Sequence, residues 1–178
     1  YSQKTYGNAG LYSVAIARGA YRKAMELVER QIDLARAEKE KADLAFWMME
    51  RANVHLQYFK DAQAGKSAFV LAQEYEKSAD QRFDFSKFFY YLNAGEFQKA
   101  REVSQGRIKV VSPENSLIVD AIEAYSSGNY GTAMERLLKI KTVGPFSQYY
   151  LALCYDAMNQ SGTAITSLED LRNNYSTY

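Results

Sequence analysis

The amino-acid sequence predicts an all-α protein built from repeated helical hairpins. Only two prolines occur in 178 residues, and β-branched residues are sparse beside the good helix formers Ala, Leu, Glu, Lys and Gln. Apolar residues recur at helical spacing on both sides of short polar turns. The segment 151–165 (LALCYDAMNQSGTAI) shows the unit most clearly, with one amphipathic run, a polar turn and a second run.

A turn motif repeats five times along the chain. A turn residue is followed two positions later by an aromatic residue and five positions later by an alanine; the fifth copy lacks the aromatic. The turn residues are Gly19, Gln57, Gly95, Gly128 and Asn159, and the alanines are Ala24, Ala62, Ala100, Ala133 and Ala164. Glycine or asparagine can adopt the left-handed conformation that ends a helix, and the aromatic fills the wedge between the paired helices. Alanine suits a point where two helix backbones approach closely.

Five hairpins follow from this motif. The first helices are expected at 6–18, 40–56, 81–93, 114–126 and 146–158, and the second helices at 21–37, 60–78, 97–110, 130–141 and 162–173. Ser112-Pro113-Glu114 and Gly144-Pro145 read as helix starts. We expect one domain over residues 1–178, with repeats at about 5–39, 40–80, 81–113, 114–144 and 145–178.

These residues resemble the tetratricopeptide repeat (TPR) family over nearly the whole chain. The resemblance is most specific in the segment 151–165 and in 121–140 (AIEAYSSGNYGTAMERLLKI). It implies a right-handed α–α superhelix (a solenoid) whose first helices line a concave groove. The second repeat departs from the family pattern, because Gln57 replaces the usual glycine and Gly65 is expected on a solvated helix face, where glycine costs about 1 kcal/mol. The segment 45–62 (AFWMMERANVHLQYFKDA) is also similar to helical repeats of bacterial envelope lipoproteins.

The resemblance, with register taken from the turns, implies a partner-binding groove. Its candidate residues are Trp47, Arg51, His55, Arg82, Phe85, Phe89, Asn93, Tyr125 and Tyr149. Aromatic residues and arginine often anchor protein interfaces, and the groove would suit an extended or helical peptide. Trp47 and Phe89 could equally be core residues. Arg51 and His55 favour the groove, since both are costly to bury without a partner.

Composition and motifs argue against several functional classes. With 22 basic and 21 acidic residues and no basic stripe, the chain shows no positively charged surface pattern for nucleic-acid binding. No apolar run is long enough for membrane insertion.

Gly65-Lys66-Ser67 lacks the first glycine of a phosphate-binding loop, because Lys60 occupies that position. One histidine and one cysteine predict no metal site, and Cys154 reads as a buried inert thiol. We therefore expect no cofactor and no catalytic residues.

The resulting interpretation is a non-enzymatic interaction or scaffold module that binds a protein or peptide. Two alternatives stay open: a regulatory or assembly domain of a larger protein whose catalytic part lies outside this chain, and an enzyme using His55 or an acidic pair in the groove.

Ile165, Leu168 and Leu171 form an apolar edge on the last helix. We expect downstream sequence or a second copy of the chain to cover it. The start at Tyr1 and the lipoprotein-like first half favour a bacterial periplasm or envelope over the cytoplasm.

Overall fold

The computed structural model describes residues 3–109, 113–141 and 144–175, with the side chains of 10–109, 113–141 and 144–173. This part of the chain is all-helical and contains no strand, which confirms the predicted fold class at that level. The helices are α1 (Gln3–Ala17), α2 (Tyr21–Glu38), α3 (Lys41–Gln57), α4 (Ala62–Gln73), α5 (Gln81–Asn93), α6 (Phe97–Ser104), α7 (Asn115–Ser126), α8 (Tyr130–Leu138), α9 (Pro145–Ala157) and α10 (Ser161–Tyr175). Short 3₁₀ turns follow α4 at Glu76–Ser78 and α6 at Arg107–Lys109.

The first helices match their predicted bounds closely, and α5 matches at both ends. The second helices of the predicted second, third and fourth repeats are shorter than expected. Helix α4 ends at Gln73, before the 3₁₀ turn Glu76–Ser78. The long second helix that was expected over 60–78 is therefore absent.

The chain divides into two compact units, Tyr1–Glu96 and Phe97–Tyr178, which we call the N-terminal and C-terminal units. The division falls within the predicted third hairpin, with α5 in one unit and α6 in the other. The single-domain organisation over 1–178 stays a prediction.

Helix α3 is the centre of the N-terminal unit, because it packs against α2, α4 and α5. Its residues Trp47 and Met49 are almost completely buried together with Ile32 of α2 and Phe83 and Phe88 of α5. Burial of such large side chains is the main source of stability in a small helical unit. The contact of α3 with α5 places two first helices side by side.

Each helix of the C-terminal unit packs against the next one along the chain, and α7 also contacts α9. A small core lies between these helices, formed by the buried residues Ala121, Ala133, Leu137, Ile140 and Cys154. First helices therefore contact each other within this unit as well.

The turns of four hairpins confirm the predicted motif. Gly19, Gly95, Gly128 and Asn159 all have positive φ, between 60° and 79°. Each is followed by a residue whose amide hydrogen-bonds to the carbonyl five positions earlier, as Ala20 does to Ala15 at 2.9 Å. Such bonds satisfy carbonyls at the end of a helix. The motif alanines 24, 133 and 164 are buried, as the close approach of two helices requires, and Ala100 is buried as well.

The second hairpin has a different register from the predicted one. Its left-handed residue is Lys60 (φ 56°), not Gln57, and Asp61 caps α4 by accepting a hydrogen bond from the Ala64 amide at 2.9 Å. Four residues separate α3 from α4, whereas three separate the helices at the other motif turns. Counting from the cap, the position equivalent to the motif alanine is Gly65, and Ala62 is exposed. The expectation of a solvated Gly65 is wrong, because this residue is buried against α3.

Candidate functional site

Three first helices meet in the N-terminal unit at a group of hydrogen-bonded side chains. The Tyr12 hydroxyl of α1 donates a hydrogen bond to the Glu50 carboxylate of α3 at 2.6 Å. The Ser86 hydroxyl of α5 donates to the other carboxylate oxygen of Glu50. The Asn53 amide of α3 donates to the Ser86 carbonyl at 3.0 Å. We call this surface, with the adjacent Phe46, the first-helix face.

The sequence of α3 explains why these groups converge. Phe46, Glu50 and Asn53 are spaced at i, i+4 and i+7, so they lie along one side of the helix. Asn53 is buried, with 4% of its surface exposed, while Glu50 and Phe46 are half-buried. The face is therefore polar at its centre and still partly open to solvent.

Burial raises the pKa of the Glu50 carboxyl, although its hydrogen bonds from Ser86, Tyr12 and Asn53 act in the opposite direction. Burial also raises the pKa of Tyr12, and the nearby Glu50 adds to that effect. The same two causes raise the pKa of Tyr58. Glu50 is thus a carboxylate held where its charge is unfavourable, an arrangement found more often at functional sites than elsewhere.

The neighbouring ion pairs form a second group on the same side of α3 and α5. Arg82 of α5 donates to Asp43 of α3 at 2.6 Å and to Asp80 at 2.7 Å. Its guanidinium also lies over the Phe46 ring, 5.1 Å from the centroid. Burial opposes the charge of Arg82, but the hydrogen bonds to Asp80 and Asp43 outweigh it and raise the pKa of the guanidinium.

The predicted groove residues of α3, Trp47, Arg51 and His55, lie on another side of the helix. Arg51 contacts Glu29 of α2 at 3.5 Å, and the His55 ring contacts Phe59 of the following turn at 5.8 Å between centroids. Trp47 is only 1% exposed, so its predicted role as a groove contact is corrected to that of a core residue. Its indole Nε1 is buried without a hydrogen-bond partner.

The register of the second hairpin explains this difference. The last residue of α3 is Gln57 and the last residue of α5 is Asn93, so these two correspond. The prediction aligned Gln57 with Gly95 instead, which is a shift of two positions. Side chains two positions apart point about 200° apart around the axis of an α-helix. The predicted groove residues of α3 therefore point away from the first-helix face. Phe46 and Glu50 occupy the positions equivalent to Arg82 and Ser86.

The predicted residues of α5 lie closer to this face. Arg82 is part of it through Asp43. Phe85 and Phe89 are half-buried. Phe89 follows Ser86 by three residues, so the two lie on the same side of α5, and we include Phe89 in the first-helix face. Asn93 is exposed and donates its side-chain amide to the Phe89 carbonyl at 2.6 Å.

In the C-terminal unit the two predicted tyrosines contact the same ring. Tyr125 of α7 lies 5.8 Å from Tyr150 of α9 between ring centroids, and Tyr149 lies 5.8 Å from Tyr150 as well. Tyr125 is half-buried, while Tyr149 is 44% exposed. Both therefore keep surface that a partner could contact.

The sequence interpretation missed Tyr12, Glu50, Asn53 and Ser86. One signal for Glu50 was present, since it is a lone acid directly after the apolar run 45–49 (AFWMM). Acids in such a setting are seldom buried without a partner. The contribution of Tyr12 and Ser86 could not be found in the same way, because it depends on how the helices pack.

Two shallow depressions in the N-terminal unit share no lining residue with the first-helix face. One, of about 570 Å³, is lined by turn and α2 residues including Tyr21, Arg22 and Phe59. The other, of about 450 Å³, lies on α4 around Lys66, Val70 and Leu71. Neither contains a predicted groove residue.

Ile165 and Leu168 on α10 are 57% and 41% exposed, so the apolar edge predicted there is present. Its coverage by further chain or by a second copy stays a prediction. Cys154 is a free thiol with no exposed surface, and burial raises its pKa.

Among the residues that the structure describes, no three His, Cys, Asp or Glu side chains are grouped so that they could hold a metal ion. No helix in that part of the chain is both long and apolar enough to cross a membrane.

The described helices define an all-α protein in which most helices pack against the next one along the chain within each unit. A scan of protein-family models, a search of curated proteins and a search of solved structures each find no match to the chain.

Proposed function

We propose that this chain is a non-enzymatic interaction module that binds a partner protein or peptide through its first helices. In this proposal the hairpins are five TPR-like repeats of one right-handed superhelix. Support comes from the packing within each unit, where α3 contacts α5 and α7 contacts α9. Contacts between alternate helices are typical of arrays in which each hairpin stacks on the next.

The observation that carries the proposal is the composition of the first-helix face. Phe46, Glu50, Arg82 and Phe89 are all half-buried, so each keeps surface for contact while its position is held by neighbours. Arginine and aromatic residues held in this way are frequent anchors of interfaces. Their arrangement along two adjacent helices fits an extended or helical peptide.

Peptide selection tests the proposal directly. A random peptide library displayed on phage would be selected against the intact chain, and the affinity of selected peptides measured by fluorescence polarisation. Phe89→Ala should weaken binding at least tenfold, because it removes an aromatic anchor from the face. The control is Val70→Ala, since Val70 is 52% exposed on α4, away from the face.

Circular dichroism would verify that both variants keep the helix content of the parent. Selection that yields no binding peptide, or peptides equally affected by both substitutions, would contradict the proposed function.

A further inference from the structure

We infer that Glu50 recognises a basic side chain, lysine or arginine, of the partner bound on the first-helix face. The inference rests on the proposed function and adds the chemistry of the partner. It follows from the contacts of one carboxylate and from the ion pairs of three basic residues on α3 and α5, Arg51, Arg82 and Lys87.

The Glu50 carboxylate has only neutral hydrogen-bond partners. Its two oxygens accept from the hydroxyls of Tyr12 and Ser86, and no basic side chain pairs with it among the residues whose side chains are described. An ionised carboxylate offers about four acceptor sites, and the hydrogen bonds from Tyr12, Ser86 and Asn53 leave one of them for a further donor. A half-buried anion without a counter-charge is costly, and a cationic ligand would remove that cost.

Three basic side chains of α3 and α5 are already engaged in ion pairs. Arg51 pairs with Glu29 of α2, and Lys87 of α5 pairs with Glu76 at 2.5 Å. Arg82 is held by two acids, Asp43 and Asp80. None of these pairs includes Glu50. A positive charge for Glu50 is therefore left for the bound partner to supply.

The aromatic rings around Glu50 also favour a cation. Tyr12 bonds the carboxylate directly, and Tyr58 is close enough to be influenced by its charge. Cations are attracted to the faces of aromatic rings. Arg82 over Phe46 shows that this surface already accommodates one such contact.

The test uses a peptide selected on the intact chain and copies in which each lysine or arginine is replaced singly by norleucine, which is apolar and uncharged. We expect one replacement to weaken binding at least tenfold. Glu50→Gln should abolish that preference, so that the variant binds the basic and neutral copies equally. Glu29→Gln is the matched control and should keep the preference, because Glu29 is paired with Arg51 on another side of α3.

A measurement on the unmodified chain covers the case in which Glu50→Gln fails to fold. Titration of the Glu50 carboxyl by carbon-detected NMR should show its pKa falling when the basic peptide binds and changing less with the neutral copy. Equal binding of basic and neutral copies by the intact chain, or an unchanged Glu50 titration, would overturn the inference while leaving the proposed function in place. Failure to select any peptide would instead contradict the proposed function on which the inference rests.

Discussion

Gly65 of α4 lies so close to α3 that a Cβ atom on it would be 3.3 Å from the carbonyl oxygen of Ala52. The same Cβ would also lie 3.3 Å from Cβ of Leu56. The other hairpins place alanine at the corresponding position, as Ala24 and Ala133 show. The second hairpin therefore packs its two helices at a point where even a methyl group is crowded.

Gly65→Ala should destabilise the protein by about 1 kcal/mol. Crowding in a packed site costs about 1–3 kcal/mol, which exceeds the roughly 1 kcal/mol that alanine contributes to a helix over glycine. The neighbour cannot yield easily, because the Ala52 carbonyl belongs to the backbone of α3. Urea denaturation followed by circular dichroism measures the change.

Gly10→Ala is the control for this substitution. Gly10 lies inside α1 in the same unit, and nothing would lie within 4 Å of an added Cβ there. That change should stabilise by about 0.5–1 kcal/mol. Equal stabilisation by both substitutions would contradict the close packing at Gly65.

Glu50→Gln should stabilise the protein at pH 7. Because burial raises the folded-state pKa of Glu50 above the ordinary value of 4.5, the folded state binds more protons between those two values. Stability from this group is complete below pH 4.5 and is lost as pH rises towards the folded pKa. Each unit of pKa shift corresponds to about 1.4 kcal/mol. The advantage of the variant in urea denaturation should therefore grow as pH rises above 4.5.

Glu135→Gln should change the stability of the protein at pH 7 in the opposite direction. The hydrogen bond from Lys139 lowers the pKa of the exposed Glu135, so its contribution is present above pH 4.5 and is lost as pH falls. This substitution should reduce stability at pH 7. A stability difference for Glu50→Gln that does not change with pH would show that its carboxyl is not perturbed.

Trp47→Ala should lower the free energy of unfolding by about 3–5 kcal/mol, because it removes a large, fully buried side chain. Trp47→Phe should lower it clearly less, since that change also removes an indole N–H that has no hydrogen-bond partner. Trp47 is the only tryptophan, so the native emission reports on this site alone. Blue-shifted emission, poorly quenched by iodide, is the expected native signal, whereas emission like that of the unfolded chain would place Trp47 at the surface.

Cys154 should react slowly with Ellman's reagent in the folded protein and rapidly in urea. The thiol has no exposed surface, and burial raises its pKa, so little reactive thiolate is accessible. The reaction is followed by absorbance at one pH with and without denaturant. Equal rates in the two conditions would mean that the core around Ala121 and Leu137 is open.

The elements of this fold were predictable because their signals are local. Helical periodicity and the scarcity of proline predict ten helices, which the described part of the chain contains, and four turns have glycine or asparagine where a left-handed residue is required. The second turn was not predictable, because Lys60 gives no sign that it adopts a positive φ. Its extra residue changed the register of α3 and with it the side of the helix on which the candidate site was sought.

The sequence by itself determined an all-α chain, four of its five turn positions and most of the small residues at helix crossings. These follow from interactions between residues close together in sequence. Only the tertiary structure decided that Trp47 is core, that Gly65 is a packing residue and that Glu50 is the centre of a polar face. The reason is that Tyr12, Glu50 and Ser86 are separated by more than 30 residues each. Their contact depends on how α1, α3 and α5 are rotated against one another, which the periodicity of each helix does not specify.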